Sequence, residues 1–170
     1  GDPGAQGEEI LFSAWPTGDL SAFGWNLGGY PPIHLLPQGM TPRPAPAALR
    51  IAPVRDRDGL LALERVAIEG FPIEGLENAA PGALAPERWL EDTHRAMWVG
   101  WEGERPVCAA SAWTEFGIND VTLVATIPEA RRRGYGEAIT WHAAQADPSL
   151  PAMLFSSDVG RRVYDRMGFL

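Results

Sequence analysis

The sequence has 170 residues, of which 45% are hydrophobic and 21% are charged, and its formal net charge is −8. This length and composition predict one globular domain with a sizeable core, and the negative charge argues against nucleic acid and anionic membranes as partners. A single cysteine excludes an internal disulfide, and no apolar run is long enough to span a bilayer, so we expect a cytoplasmic protein.

Glycine and proline are concentrated at the N-terminal end. They occupy 16 of the first 48 positions but only 19 of the following 122. The same segment carries aromatic and aliphatic residues that seek burial, which is not typical of a disordered tract. We therefore predict a Gly/Pro-rich extension over residues 1–48, packed on a main domain over residues 49–170.

The main domain begins with a regular pattern. Residues 49–54 predict a strand, and residues 56–69 predict a helix with an aspartate as its N-cap. The stretch 69–87 is rich in turn formers and acids, and loops of this length often carry function. A second helix is predicted to begin at Pro86.

Three further strands follow along the chain. Residues 96–101 and 105–114 predict a hairpin, and a second turn leads into a strand over residues 121–126. Strict alternation along that last strand predicts two faces, one made of Val121, Leu123 and Ala125 and the other made of Thr122, Val124 and Thr126.

The residues after that strand have the pattern of an anion-binding turn. Three consecutive arginines precede Gly134 and Gly136, and the glycines open a helix predicted to run to about Asp147. The first N–H groups of a helix lack internal partners, and the helix dipole adds partial positive charge there. Glycine lets a ligand approach the backbone closely. The pattern predicts a pyrophosphate site.

The last elements complete a mixed α/β fold. Residues 152–156 predict a strand, and Ser157 or Asp158 caps a final helix that Gly168 ends. The predicted order is β-α-α-β-β-β-α-β-α. Residues 121–156 form a central parallel β-α-β crossover, which should be right-handed.

Two motifs resemble the GCN5-related N-acetyltransferase superfamily. Arg131-Arg132-Arg133-Gly134-Tyr135-Gly136 matches its (Gln/Arg)-x-x-Gly-x-(Gly/Ala) signature, and residues 156–169, SSDVGRRVYDRMGF, are similar to its closing motif. The resemblance covers about residues 49–170. It implies an α+β fold with a mixed, mostly antiparallel sheet, a central parallel crossover and splayed strands. The family's final strand normally follows Gly-Phe, so we expect that strand to be missing here or supplied by another chain.

The resemblance also implies an activity, the transfer of an acetyl group from acetyl-CoA to a primary amine by direct attack on the thioester. The pantetheine arm would pair with the backbone of Val124, Ala125 and Thr126. The pyrophosphate would lie against the turn and the start of the helix, where arginine side chains suit phosphates. The residues implicated in that second contact are Arg131, Arg132, Arg133, Gly134, Tyr135, Gly136 and Glu137.

Tyr164 lies where the family places its general acid, and its hydroxyl could protonate the leaving thiolate. The sequence of the helix by itself favours the alternative that Tyr164 is a half-buried aromatic residue with no catalytic role. Glu115 and Asp120 are candidate general bases, and Glu74 and Glu77 are candidate acceptor-binding residues in the acidic loop. The alternative for each of these four acids is a solvated surface group, since acids are mostly exposed.

Several alternatives remain open at this point. The sequence lacks the Gly-x-Gly-x-x-Gly and Gly-x4-Gly-Lys-Ser/Thr patterns of other nucleotide sites. A non-catalytic acyl-CoA-binding sensor or structural module on the same fold is the main alternative to an enzyme. We expect acetyl-CoA and an amine as partners. The negative charge of the candidate acids would suit a cationic amine, and a homodimer stays open. We predict no metal, because the histidines have no partners at ligand spacing.

Overall fold

The computed structural model describes residues 11, 13, 16–71, 76 and 80–170. The chain divides into two compact units, one up to Tyr30 and one from Pro31 to Leu170. In the first unit the described residues include a short 3-10 turn over Ser21–Phe23. The second unit carries the sheet and the α-helices. No described helix is long and apolar enough to cross a membrane.

The described part of the second unit is a six-stranded sheet with α-helices. The strands are β1 (Ile33–Leu36), β2 (Arg50–Pro53), β3 (Arg95–Glu102), β4 (Arg105–Glu115), β5 (Ile118–Thr126) and β6 (Ala152–Phe155). The helices are α1 (Arg57–Gly70), α2 (Tyr135–Ala144) and α3 (Asp158–Met167), with 3-10 turns over Glu87–Leu90 and Pro128–Ala130. The strand order is β1-β6-β5-β4-β3-β2.

Every neighbouring pair of strands is antiparallel except β5 and β6, which are parallel. The mixed, mostly antiparallel sheet with a central parallel crossover through α2 is therefore confirmed. The local end signals are confirmed as well. The Asp56 carboxylate accepts a hydrogen bond from Gly59 N at 2.8 Å, the Ser157 hydroxyl accepts one from Gly160 N at 3.3 Å, and Gly168 ends α3 with a left-handed backbone.

Two predicted boundaries near β5 are wrong, and one residue accounts for both. β5 begins at Ile118, within the predicted turn, and α2 ends at Ala144 instead of Asp147. Asn119 is fully buried, and its amide donates to the carbonyl oxygens of Ala144 at 3.2 Å and Asp147 at 2.8 Å. Asn119, a residue type common in turns, thus lies inside β5, because its side chain pairs with carbonyl groups at the C-terminal end of α2 and just after it.

The predicted helix from Pro86 is also shorter than expected. Only a single 3-10 turn forms, over Glu87–Leu90, with Pro86 as its N-cap. Trp89 and Leu90 nevertheless pack against the core.

The two predicted faces of β5 are wrong because the strand contains a β-bulge. Ser111 pairs with Thr122, whereas Ala109 pairs with Ala125, so β5 has one residue more than β4 across this interval. Residues directly opposite each other share a face. Thr122 and Ala125 therefore share one face, and alternation fails at Leu123, whose φ is +50°.

β1 comes from the predicted N-terminal extension and forms the edge of the sheet beside β6. Leu35 and Leu170 exchange two backbone hydrogen bonds, at 3.0 and 2.8 Å. The edge position next to β6 is thus taken by residues from earlier in the chain. The domain division at Ala48 stays a prediction.

Gly100 on β3 offers a test of core packing. A Cβ built there would overlap the Cys108 sulfur and lie 3.0 Å from Leu49. We expect Gly100→Ala to lower the free energy of unfolding by about 1–3 kcal/mol, as overpacking does. Adding Cys108→Ala removes the overlapping sulfur and should recover much of that loss. Urea unfolding of both single variants and the double variant checks this; simple additivity of the two losses would contradict the packing.

Candidate active site

β5 and β6 are paired at one end and separate at the other. Their parallel pairing is limited to Asn119 with Ala152 and Asp120 with Met153. Beyond Asp120, β5 continues to Thr126 and is paired only with β4 among the described strands. The side of residues 121–126 that faces away from β4 therefore has free backbone positions for an extended ligand.

The bulge lies in the middle of this free stretch. Leu123 has a left-handed backbone, which costs a residue other than glycine about 1–2 kcal/mol. Strained positions of this kind persist only where the surrounding structure maintains them, and they cluster at functional sites. The bulge also increases the local twist of β5 and re-aims the groups that follow it.

The turn between β5 and α2 is shaped as an anion site. Arg132 and Gly134 both have positive φ, +60° and +80°. The N–H groups of residues 132–134 have no backbone acceptor among the described residues, and the first N–H groups of α2 point the same way as its dipole. Left-handed residues in such a turn gather N–H groups into a concave site that binds anions.

The three adjacent arginines have different surroundings. Arg131 donates to the carbonyl oxygens of Gly70 at 2.8 Å and Thr126 at 3.2 Å, which ties the turn to the end of α1. Arg133 forms a two-pronged pair with Glu102 and lies over the Tyr135 ring. Arg132 is exposed, and none of the described residues forms a hydrogen bond or ion pair with it. Its side chain is the one free to meet a ligand.

A proline-rich piece of the N-terminal segment lies against the start of α2. Arg43 is 3.7 Å from the Glu137 carboxylate, and a Cβ on Gly134 would lie 3.3 Å from Pro46. None of the predicted site residues lies in this segment. The local signal in the segment is an arginine between prolines. That pattern does not indicate that Arg43 lies beside Glu137, about 90 residues later.

A row of side chains crosses the sheet near the point where β5 and β6 separate. Arg95 on β3 pairs with Trp113 on β4, and Trp113 pairs with Asp120 on β5, so all three share one face. Asp120 is half-buried, and its Oδ1 has no hydrogen-bond partner. Burial raises the pKa of the Asp120 carboxyl, and the positive charge of Arg95 opposes that shift.

The second candidate base has a different environment. The Glu115 carboxylate accepts a hydrogen bond from the Trp113 indole N–H at 3.1 Å. That bond occupies one oxygen of the Glu115 carboxylate. Asp120 keeps an unpaired buried oxygen, which suits a base.

Tyr164 on α3 is buried among other side chains. Its ring lies 5.7 Å from the Phe169 ring and 5.9 Å from the His34 ring, and His34 Nε2 is 2.9 Å from the Ser156 hydroxyl. Burial raises the pKa of the Tyr164 hydroxyl to about 12. The phenol is therefore protonated at neutral pH and able to donate a hydrogen bond.

No protein-family model matches the sequence, and no curated protein matches it. Among solved structures, it is similar to a GCN5-related N-acetyltransferase from Kribbella flavida, with 22% identity and a TM-score of 0.64 over 85% of this chain and 55% of that one. The chain has the GCN5-related N-acetyltransferase fold. It thus spans little more than half the length of that relative.

Two further structures with this fold contain ligands. A predicted acetyltransferase from Clostridium acetobutylicum, solved with acetyl-CoA, is 18% identical at a TM-score of 0.57 over 72% of this chain and 90% of that one. An aminoglycoside acetyltransferase from an uncultured soil metagenomic sample, solved with sisomicin, is 13% identical at a TM-score of 0.57 over 70% and 84%.

The remaining predicted residues can be placed only in part. On this GCN5-related fold, Val124, Ala125 and Thr126 lie on the part of β5 that is not paired with β6. Residues 131–137 form the turn after β5 and the first turn of α2. Glu74 and Glu77 lie outside the described residues. No group of three or more metal-ligating side chains occurs in the described part of the chain, and the absence of a metal stays a prediction.

Sequence reasoning missed Arg95 and the two tryptophans beside it. Arg95 lies over the Trp89 ring at 4.1 Å and the Trp113 ring at 5.0 Å. The available signal was a charged residue directly before the apolar strand predicted over residues 96–101. Its meaning depends on the strand register, which the sequence alone did not provide.

Proposed function

We propose that this chain transfers an acetyl group from acetyl-CoA to a primary amine by direct attack of the amine on the thioester. The observation that carries the proposal is the separation of β5 from β6, which leaves an unpaired strand edge leading into a turn of free N–H groups. An extended pantetheine arm ending in a pyrophosphate has the shape and charge to fill both parts.

In this proposal the backbone does most of the donor binding. The backbone groups of Val124, Ala125 and Thr126 pair with the amides of pantetheine, as a neighbouring strand would. The N–H groups of residues 132–137 bind the pyrophosphate, and the free Arg132 side chain adds a charge-assisted contact. Arg131 and Arg133 position the turn through Gly70 and Glu102.

The chemistry needs one base and one proton donor. Asp120 accepts a proton from the ammonium form of the amine, directly or through water, and the neutral nitrogen attacks the thioester carbonyl carbon. A C–N bond forms, the C–S bond breaks, and the CoA thiolate leaves. The Tyr164 hydroxyl donates a hydrogen bond and then its proton to that sulfur. The attacking nitrogen loses its surplus proton, which returns through water to the Tyr164 oxygen, so the products are an N-acetyl amide and CoA, with the first proton on Asp120.

Two measurements test the proposal. Calorimetry with acetyl-CoA should show binding, and a thiol-detecting reagent should show release of CoA that depends on an added amine. The amines should include neutral, cationic and carboxylate-bearing compounds. Tight binding of acetyl-CoA without turnover of any amine would support a non-catalytic acyl-CoA-binding module instead. Absence of acetyl-CoA binding would remove both functions.

Tyr164→Phe tests the proton donor. We expect kcat to fall by about 10²-fold, within the range for loss of one general acid, while the dissociation constant for acetyl-CoA changes little. The ring and its contacts with His34 and Phe169 are kept, so the fold should persist. Steady-state kinetics and calorimetry on the same preparation check this, and full activity in the variant would rule out the assignment.

A further inference from the structure

Arg95 and Asp120 are opposite charges that lie near one another without pairing. Burial lowers the pKa of Arg95 and raises the pKa of Asp120, and the charge of each group opposes the shift of the other. No ion pair joins the two side chains among the described residues. The Nε atom of Arg95 and the Oδ1 atom of Asp120 are both buried, and neither has a hydrogen-bond partner. Buried polar atoms of charged groups are costly when they are left unpaired, so this arrangement calls for a ligand.

The surroundings of Arg95 hold its guanidinium in place but leave its hydrogen-bonding capacity unused. The Trp89 and Trp113 rings lie 4.1 and 5.0 Å from it, which fixes the plane of the group by cation–π contact. The only carboxylate paired with it among the described residues is Asp92, at 3.8 Å, which is beyond hydrogen-bond range. A guanidinium stacked on aromatic faces presents its N–H edge for two-pronged binding of a carboxylate.

The location connects this cation with the proposed reaction. Arg95, Trp113 and Asp120 lie in adjacent strands on one face of the sheet, and Asp120 is the last residue of β5 paired with β6. The side chain of Arg95 is 15% exposed, so part of it is open to a ligand. A molecule with an ammonium group at Asp120 and a carboxylate at Arg95 would satisfy both charges.

We infer that the acceptor is an amine that also carries a carboxylate, as amino acids do, and that Arg95 is the residue that recognises this carboxylate. The inference rests on the proposed acetyl transfer, because it places the reacting amine beside Asp120. Arg95 then sets specificity, while Asp120 takes the proton.

The test compares matched acceptors. Glycine and each L-amino acid with a primary α-amine are assayed beside their α-carboxamides, which keep the amine and side chain but lack the α-carboxylate charge. Spermidine serves as a polycation without a carboxylate. For the best amino acid we expect kcat/KM at least about tenfold above that of its carboxamide, the size of one charged hydrogen-bonding contact. Equal rates, or a preference for carboxamides or spermidine, would overturn the inference while leaving acetyl transfer intact.

Variants assign the preference to Arg95. Arg95→Gln should bring the ratio of the two kcat/KM values close to one, and Arg95→Lys should leave an intermediate ratio, since lysine keeps the charge but not the two-pronged edge. Arg50→Gln is the matched control, because Arg50 also lies over a tryptophan, at 5.5 Å from the Trp101 ring, but on the edge strand β2. It should keep the wild-type ratio. An unchanged ratio in folded Arg95→Gln or Arg95→Lys protein would overturn the role of Arg95.

The two levels of the proposal fail in different ways. If acetyl-CoA does not bind, the proposed function fails and the inference falls with it. If acetyl-CoA binds and amines without carboxylates are acetylated with kcat/KM equal to or above that of the amino acids, the function stands and the inference is wrong. If acetyl-CoA binds and no carboxylate-bearing amine is acetylated, the inference is again wrong.

Discussion

Asp120→Asn should lower kcat/KM for the amine by about 10²-fold or more, the usual loss when a general base is removed. The substitution keeps the size of the side chain, so acetyl-CoA should bind with an unchanged dissociation constant. Glu115→Gln should cost far less, because the Glu115 carboxylate is already engaged with Trp113. Steady-state kinetics of the two variants decide between these carboxylates, and a larger loss in Glu115→Gln would reverse the assignment.

The pH dependence of Asp120→Asn provides a second readout. Burial raises the pKa of the Asp120 carboxyl above its ordinary 3.8. Wild-type kcat/KM should therefore rise with pH through that elevated pKa, and this limb should be absent from the variant. A raised carboxyl pKa also means that the fold disfavours the ionised form, so stability falls as pH rises through it. At neutral pH the variant should be at least as stable as the wild type, and marked destabilisation would contradict this account.

Gly134→Ala should weaken acetyl-CoA binding by about 10–100-fold. Gly134 has φ of +80° at the N-cap of α2, and an added Cβ would also press on Pro46 at 3.3 Å. Relief of that strain moves the N–H groups of the turn, and each charge-assisted hydrogen bond lost costs about 1.5–3 kcal/mol. Calorimetric titration with acetyl-CoA measures the effect.

Gly117→Ala is a matched control for that variant. Gly117 has nearly the same φ, +78°, and lies in the turn between β4 and β5 with nothing near its missing Cβ. Both alanine variants should lose about 1–2 kcal/mol of stability from backbone strain. Only Gly134→Ala should lose affinity for acetyl-CoA. Equal affinities in the two variants would show that the turn does not bind the donor.

The proposed donor half of the site could be predicted from the sequence because its signals are local. The strand, the arginines and the glycines of residues 121–138 follow one another, and the caps at Asp56, Ser157 and Gly168 mark helix ends within a few residues. Backbone N–H groups at a glycine turn need no distant partner to form an anion site.

Apart from Asp120, the proposed acceptor half could not be predicted because it is assembled across strands. The row of Arg95, Trp113 and Asp120 depends on the register of β3, β4 and β5. The bulge at Leu123 could not be predicted for the same reason, because an extra residue in β5 is recognised only when β5 is aligned with β4. The partners of Arg131 and Arg133 are likewise 61 and 31 residues away in sequence.

The second half of β5 has one side without a neighbouring strand among the described residues, so a bound ligand can complete the sheet there. In most sheets a strand in the interior is hydrogen-bonded on both sides by the protein's own chain, but the second half of β5 is not. Under the proposed function, the donor itself acts as the missing neighbour and is read along its length by main-chain groups. Side-chain substitutions on this strand would then leave that recognition largely unchanged, so donor choice is built into the backbone, while acceptor choice depends on exchangeable side chains such as Arg95.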